Sequence, residues 1–171
     1  MRSSPPRKEF LMMSIRHRIR TFQVVYASEP VLGAVSGPDD AVPLLRAIFR
    51  DACDADREHF IVLGLNARGK IIGYKILGSG TIAATLVSMR DIFLAAIALA
   101  ACTILVAHSH PSQDPTPSDS DLVLTDRLIA ASEILGIPIV DHLIIASSGA
   151  PDARWSSAMP TSSSRLGCLA R

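Results

Sequence analysis

The chain has few cysteines, and their spacing argues against a small secreted domain held together by disulfides. Cys53, Cys102 and Cys168 form no CxxC pair and no even set. A disulfide framework needs such a set, whereas isolated thiols are typical of proteins in a reducing compartment. We therefore expect a cytoplasmic location.

The sequence also lacks a segment that would cross a membrane. The uncharged run over residues 92–107 falls short of the roughly 18–20 apolar residues that a span requires. The apolar piece at residues 10–14 is too short for the core of a signal peptide. We interpret the longer run as a buried helix followed by a buried strand, and we expect no membrane partner.

No strong charge bias exists over the whole chain, whose net charge is +1. The distribution is uneven, because residues 1–20 hold six basic side chains and one acid, Glu9. We interpret residues 1–20 as a flexible basic arm exposed to solvent. Basic segments of this kind also bind nucleic acid, which stays open as a second interpretation.

Length and pattern predict a single α/β domain without internal repeats. The chain has 171 residues, of which 49% are hydrophobic, enough for one substantial core. The order of helix and strand patterns predicts a central sheet with helices packed on it. The predicted elements are an edge strand at 22–26, a helix from the turn at 37–40 to 54, strands 58–65 and 70–77 around a turn at 66–69, a break at 78–81, a helix at 90–101, a strand at 103–107, a helix from Ser118 to Gly136 and a strand at 137–145.

Two of these helices differ in their apolar pattern. The helix at 90–101 is apolar nearly all round, which predicts cover on both sides. The helix that begins at Ser118 has a buried stripe of Leu124, Leu128, Ala131 and Leu135. Residues 147–171 show no periodicity and predict an irregular or disordered tail.

The stretch over residues 108–121 is where chemistry is concentrated. His108 and His110 follow an apolar strand and, being two residues apart, point to the same side. Three prolines then stiffen the loop. Ser118 and Asp121 begin the next helix with the spacing of a capping box.

Two imidazoles and one carboxylate form a complete protein ligand set for a catalytic zinc, with the fourth position left for water. His108, His110 and Asp121 can supply this set. Glu58, at the start of a neighbouring strand, is a candidate general base, and Ser118 is a candidate donor to an oxyanion. A plain helix cap at Ser118 and Asp121, histidines without a ligand role, and non-haem iron remain alternatives.

The order of these residues resembles a known motif. His108-Ser109-His110-Pro111, followed by Ser118 and Asp121 and preceded by a distant glutamate, is similar to the JAMM motif (E…HxHP…SxxD) of MPN-domain metalloproteases. The loop HSHPSQDPTPSDSD resembles the HNHPSGDPTPSxxD of the RadC-like branch. Residues 57–60, Thr125, residues 133–138 and residues 141–144 also resemble signatures of that branch.

The resemblance implies an MPN (JAMM)-like domain over residues 21–146, with a central mixed sheet flanked by helices. It implies one Zn²⁺ on His108, His110 and Asp121, with Glu58 as acid/base and Ser118 as transition-state stabiliser. The implied reaction is hydrolysis of an amide or isopeptide bond in a peptide or isopeptide substrate.

The sequence leaves two points open, the backbone conformation at Gln113 and the choice between Glu58 and His59 as the motif's glutamate position. Gln113 replaces the usual glycine of the branch, so the loop there either avoids positive φ or adopts it at a cost. A one-residue shift in the alignment would put His59 in the place of Glu58.

Two other functions remain open. A DNA-repair-associated DNA-binding factor or nuclease is favoured by the basic arm. A non-catalytic MPN scaffold would be indicated by loss of a ligand, and all three ligand positions are filled.

Overall fold

A computed structural model of the chain describes residues 38–80, 87–146 and 154–157. The predicted basic arm at 1–20 and edge strand at 22–26 lie outside these residues. The described elements are α1 Pro38–Ala52, β1 Glu58–Leu65, β2 Ile71–Gly80, α2 Met89–Ala98, β3 Thr103–His110, α3 Asp119–Leu135, β4 Ile139–Ala146 and β5 Arg154–Ser156.

The five strands form one mixed sheet in the order β2-β1-β3-β4-β5. Strands β3 and β4 are parallel, as expected for two strands joined by a helix, here α3. The other neighbouring pairs, β1–β2, β1–β3 and β4–β5, are antiparallel. This architecture confirms the predicted α/β domain with a central mixed sheet and places β3 in its middle.

Helices cover both faces of the sheet. Side chains alternate between the two faces along each strand, so Leu105 and Val106 of β3 belong to different cores. Helix α1 packs on one face through residues such as Leu45, against Ile61 and Leu105. Helices α2 and α3 pack on the other face, where Leu128 joins Val106. The result is a three-layer arrangement around a fully buried β3.

The first hairpin has the turn that the sequence predicts, but its second strand is longer. The Asn66 side chain accepts hydrogen bonds from the backbone N–H groups of Arg68 and Lys70, and Gly69 adopts a φ of 70°. The predicted break at 78–81 is wrong at its start, because β2 continues to Gly80. Gly78 has a φ of 54° at an irregularity in the β1–β2 register, which lets the pairing continue beyond it.

The helices on the second face are less covered than predicted. Leu94 and Ile97 of α2 are exposed, so the prediction of cover on both sides is wrong for these residues. Only one side of α2 meets the sheet, because it is an outer layer. In α3 the stripe is confirmed at Leu124 and Leu128, whereas Leu135 in the last turn is exposed. The helix ends as predicted at Gly136, in the left-handed conformation.

A short strand lies where the sequence predicts an irregular tail. Residues 154–156 form β5, which pairs with β4 at the edge of the sheet. The prediction for residues 147–171 is therefore wrong for this strand, and the rest of the predicted tail, apart from Ser157, lies outside the described residues. Hydrogen bonds from Ser156 and Ser157 to the buried Asp141 of β4 give β5 its anchor.

No helix in the described part of the chain is long and apolar enough to span a membrane. Cys53 and Cys102 are not joined to another described cysteine by a disulfide bond. Cys168 lies outside the described residues.

Candidate metal site

The two histidines of the HxH pair lie at the end of β3, on the face covered by α2 and α3. Both are buried, and their Nε2 atoms are 3.0 Å apart. The ring of Phe60, opposite His108 on β1, stacks on the His108 ring with centroids 6.0 Å apart. The strand therefore brings both imidazoles to one point, as the spacing of two residues predicts.

The carboxylate of Asp121 reaches the same point from the first turn of α3. Its Oδ1 lies 3.2 Å from His108 Nε2, and its Oδ2 lies 3.4 Å from His110 Nε2. One potential ligand atom from each of the three residues lies within 4.8 Å of the other two. The three predicted ligands thus form one cluster.

Asp121 also completes the helix cap that the sequence predicts. Its Oδ2 accepts hydrogen bonds from the backbone N–H of Ser118, at 2.8 Å, and from the Ser118 hydroxyl, at 2.6 Å. The Ser118 hydroxyl in turn accepts a bond from the backbone N–H of Asp121. Because these bonds involve Oδ2, Asp121 Oδ1 has no part in the cap and faces His108. Capping and metal ligation are therefore compatible.

The surroundings of Asp121 stabilise its charged form. Burial acts to raise the pKa of Asp121, but hydrogen bonds with His108 and His110 outweigh it and hold that pKa well below its ordinary range. The hydrogen bond to Asp121 raises the pKa of His110 against the effect of burial, and Glu58 contributes to this increase. Asp121 is therefore charged at neutral pH, as a carboxylate ligand must be.

The loop after β3 orients His110 through its backbone. His110 Nδ1 lies 2.8 Å from the carbonyl oxygen of Asp114, which can only accept a hydrogen bond, so Nδ1 carries a proton and Nε2 is free to bind a metal. Gln113 has a φ of 63°, so the loop adopts the strained alternative at this position. The Asp114 carboxylate caps Thr116 and takes no part in the cluster.

Another buried histidine, His142, supports His108 and was not among the predicted site residues. His142 Nε2 lies 2.9 Å from His108 Nδ1, and His142 Nδ1 lies 2.7 Å from the Thr125 hydroxyl. Burial, and secondarily the neighbouring His108, lower the pKa of His142 to about 3, so it is neutral at neutral pH. The available signal was a polar pair, Asp141-His142, inside an apolar strand.

Glu58 and His59 lie at the start of β1 and have different surroundings. Phe60 pairs with His108, and Glu58, two residues earlier on β1, lies on the same face of the sheet as Phe60. His59 instead contacts the backbone N and O of Asp54 through its Nε2. Of these two, Glu58 is therefore the residue on the face of the metal cluster.

The donor set fits a metal ion. Two imidazoles and one carboxylate converge at one point, and each histidine has a partner on its Nδ1. Such partners on the second ring nitrogen are usual for histidines that bind metals. His108, His110 and Asp121 could therefore hold a metal ion, whose identity the geometry leaves open.

Comparison with known proteins gives a consistent set of matches. Residues 35–154 match the sequence model of the RadC-like JAB domain. The chain is 41% identical over 111 residues to a UPF0758 protein of Desulforamulus reducens, which covers 65% of this chain and 48% of that protein. It is 34% identical over 134 residues to a UPF0758 protein of Syntrophomonas wolfei, covering 78% and 57% of the two chains. The chain spans about half the length of these curated relatives.

Proposed function

Because the chain belongs to the RadC-like JAB domain family, we propose that it is a zinc-dependent hydrolase that cleaves an amide or isopeptide bond. The observation that carries the proposal is the convergence of His108, His110 and Asp121 at the end of β3. The names of the relatives state no activity, so the reaction is argued from the chemistry of the site.

The donor set favours zinc. His108 Nε2, His110 Nε2 and Asp121 Oδ1 would hold the ion, and three protein ligands leave one tetrahedral position open, as in catalytic zinc sites. When bound, zinc would supply a Lewis acid and lower the pKa of a coordinated water to roughly 7. The same ligands can bind non-haem iron, which analysis of the metal content distinguishes.

Glu58 is the proposed acid/base. Its carboxylate is close enough to His110 to raise the pKa of that histidine, and it lies on the same face of the sheet. A carboxylate at this position would accept the proton of the attacking water and then deliver it to the leaving amine.

Ser118 is the proposed donor to the oxyanion of the transition state. Its hydroxyl is directed at Asp121 Oδ2, but the same oxygen also accepts a bond from the Ser118 backbone N–H. Rotation of the hydroxyl towards a substrate would therefore leave Asp121 with the backbone part of its cap. The Ser118 hydroxyl would thus donate to Asp121 Oδ2 in the free protein and to the oxyanion when a substrate is bound.

The experiment is a hydrolysis assay with the zinc-loaded full chain on linear and isopeptide-linked peptides. We expect Glu58→Gln to retain zinc and melting temperature but to slow turnover by roughly 10²–10⁴-fold, the effect of losing a positioned acid/base. Asp56→Asn, the same change at a nearby exposed acid, is the matched control and should not slow it. Equal rates for wild type and Glu58→Gln would remove Glu58 from the mechanism.

DNA and RNA substrates in the same assay separate the alternatives. Cleavage of nucleic acid without cleavage of peptides would contradict the proposal and support the hypothesis of a nuclease. Tight zinc binding without cleavage of any substrate would favour the scaffold reading.

A further inference from the structure

His142 is a polar ring at the centre of an apolar sheet. It is fully buried on β4, between the ring of Phe60 and the edge-on ring of Trp155, with centroids 5.9 and 6.1 Å away. Burying an imidazole is unfavourable unless both ring nitrogens have hydrogen-bond partners. His142 has them in His108 and Thr125.

The direction of these hydrogen bonds follows from the last bond of the series, the one between Thr125 and the backbone of Asp121. The Thr125 hydroxyl lies 2.7 Å from the backbone carbonyl oxygen of Asp121, which can only accept, so the single hydroxyl proton points there. The hydroxyl must then accept a bond from His142 Nδ1–H. The ring of His142 is fully buried, and its two nitrogens face an imidazole and a hydroxyl rather than a carboxylate, so burial disfavours a second proton on it. His142 Nε2 therefore accepts a bond from His108 Nδ1–H.

We propose that His142 and Thr125 are positioning residues that prepare His108 for metal binding. With its proton held on Nδ1, His108 presents the lone pair of Nε2 to the metal position. The chain of bonds ends on the backbone of Asp121, so it also ties the helix turn that carries one ligand to the strand that carries another. This inference rests on the zinc site of the proposed function.

The burial of this series of hydrogen bonds indicates that it orients the His108 ring rather than transports protons. His142 has no exposed surface and Thr125 is 7% exposed. The last acceptor is a carbonyl oxygen in α3, which cannot pass a proton on. His110 receives the equivalent support from the Asp114 carbonyl, so only the support of His108 depends on side chains that can be replaced.

The test measures the zinc dissociation constant of the full chain by competition with a chromogenic chelator. We expect Thr125→Val, which keeps the shape but removes the hydroxyl, to weaken zinc binding about 10–100-fold. Thr125→Ser keeps the hydroxyl and should stay within a few-fold of wild type. Ser132→Ala is the matched control, because Ser132 is also a buried α3 hydroxyl that donates to a helix carbonyl, that of Ile129.

Nitrogen NMR of the imidazole rings gives a second readout that does not depend on Thr125→Val being folded. In zinc-loaded wild type, His142 should carry its proton on Nδ1. A proton on His142 Nε2, or wild-type zinc affinity in folded Thr125→Val, would overturn the inference while leaving the hydrolase proposal intact. Absence of zinc binding by wild type would overturn both.

Discussion

At the scale of single residues, Asp121 can combine the two roles that the sequence presents as alternatives, helix cap and proposed metal ligand. Its Oδ2 accepts the bonds of the capping box, whereas Oδ1 faces the Nε2 of His108. The cap fixes the orientation of the carboxylate and so supports a ligand role. The choice between cap and ligand therefore does not need to be made.

Gln113 is under backbone strain, since its φ of 63° is left-handed. This conformation costs a non-glycine residue about 1–2 kcal/mol, and glycine loses about 0.5–1 kcal/mol through its greater freedom when unfolded. We therefore expect Gln113→Gly to raise the free energy of unfolding by about 0.5–1 kcal/mol in urea titrations. Gln113→Ala keeps the strain and should give no increase. A destabilised Gln113→Gly would show that contacts of the Gln113 side chain outweigh the strain.

The clustering of the three proposed ligands could be predicted from the sequence because their spacing is local. His108 and His110 share one strand, and Asp121 stands at a fixed position after the Ser118 cap. The support of His108 by His142 depends instead on the parallel pairing of β3 with β4, 34 residues further along the chain. Local spacing contains no information on that pairing.

At the scale of elements, the sequence did not predict β5, because the strand is too short to show an alternation of apolar and polar residues. It has three residues, and besides its backbone pairing with β4 it is attached to the sheet through the buried Asp141 of that strand. That carboxylate accepts bonds from the hydroxyls of Ser156 and Ser157 and from the backbone N–H of His142. The strand therefore also secures the segment that carries His142.

The double variant Ser156→Ala/Ser157→Ala tests this anchor. It removes two hydroxyl donors from a buried carboxylate, and we expect a loss of about 2–4 kcal/mol in the free energy of unfolding, measured in urea. Ser112→Ala, at an exposed loop serine, should cost no more than about 1 kcal/mol. Equal stability of the double variant and wild type would contradict the anchoring role.

The capping residues allowed the bounds of the helices to be predicted from the sequence. The surroundings of the helices could not be predicted in this way. Ser118 and Gly136 mark the bounds of α3, as capping chemistry predicts. The apolar sides of α2 predicted a second covering layer, yet Leu94 and Ile97 are exposed. An apolar pattern indicates that a surface can be buried, but it does not specify a partner.

At the scale of the whole molecule, three layers bring together residues from three elements. The end of β3 supplies two histidines, the start of α3 supplies Asp121, and the start of β1 brings Glu58 to the same face. The alternation of helix and strand patterns predicted the layers. The strand order, with β1 and β4 on either side of β3, results from long-range pairing. The resemblance to the JAMM motif predicted a mixed sheet but not this order.

The central claim is that His108, His110 and Asp121 hold one zinc ion, and metal analysis of the purified full chain tests it most directly. We expect about one zinc per chain in wild type and an empty site in His108→Ala and in Asp121→Ala. His59→Gln, a change at another buried histidine, should retain the metal, since His59 contacts the backbone of Asp54 instead. Full zinc occupancy in His108→Ala or Asp121→Ala, or no metal in wild type after zinc loading, would contradict the account.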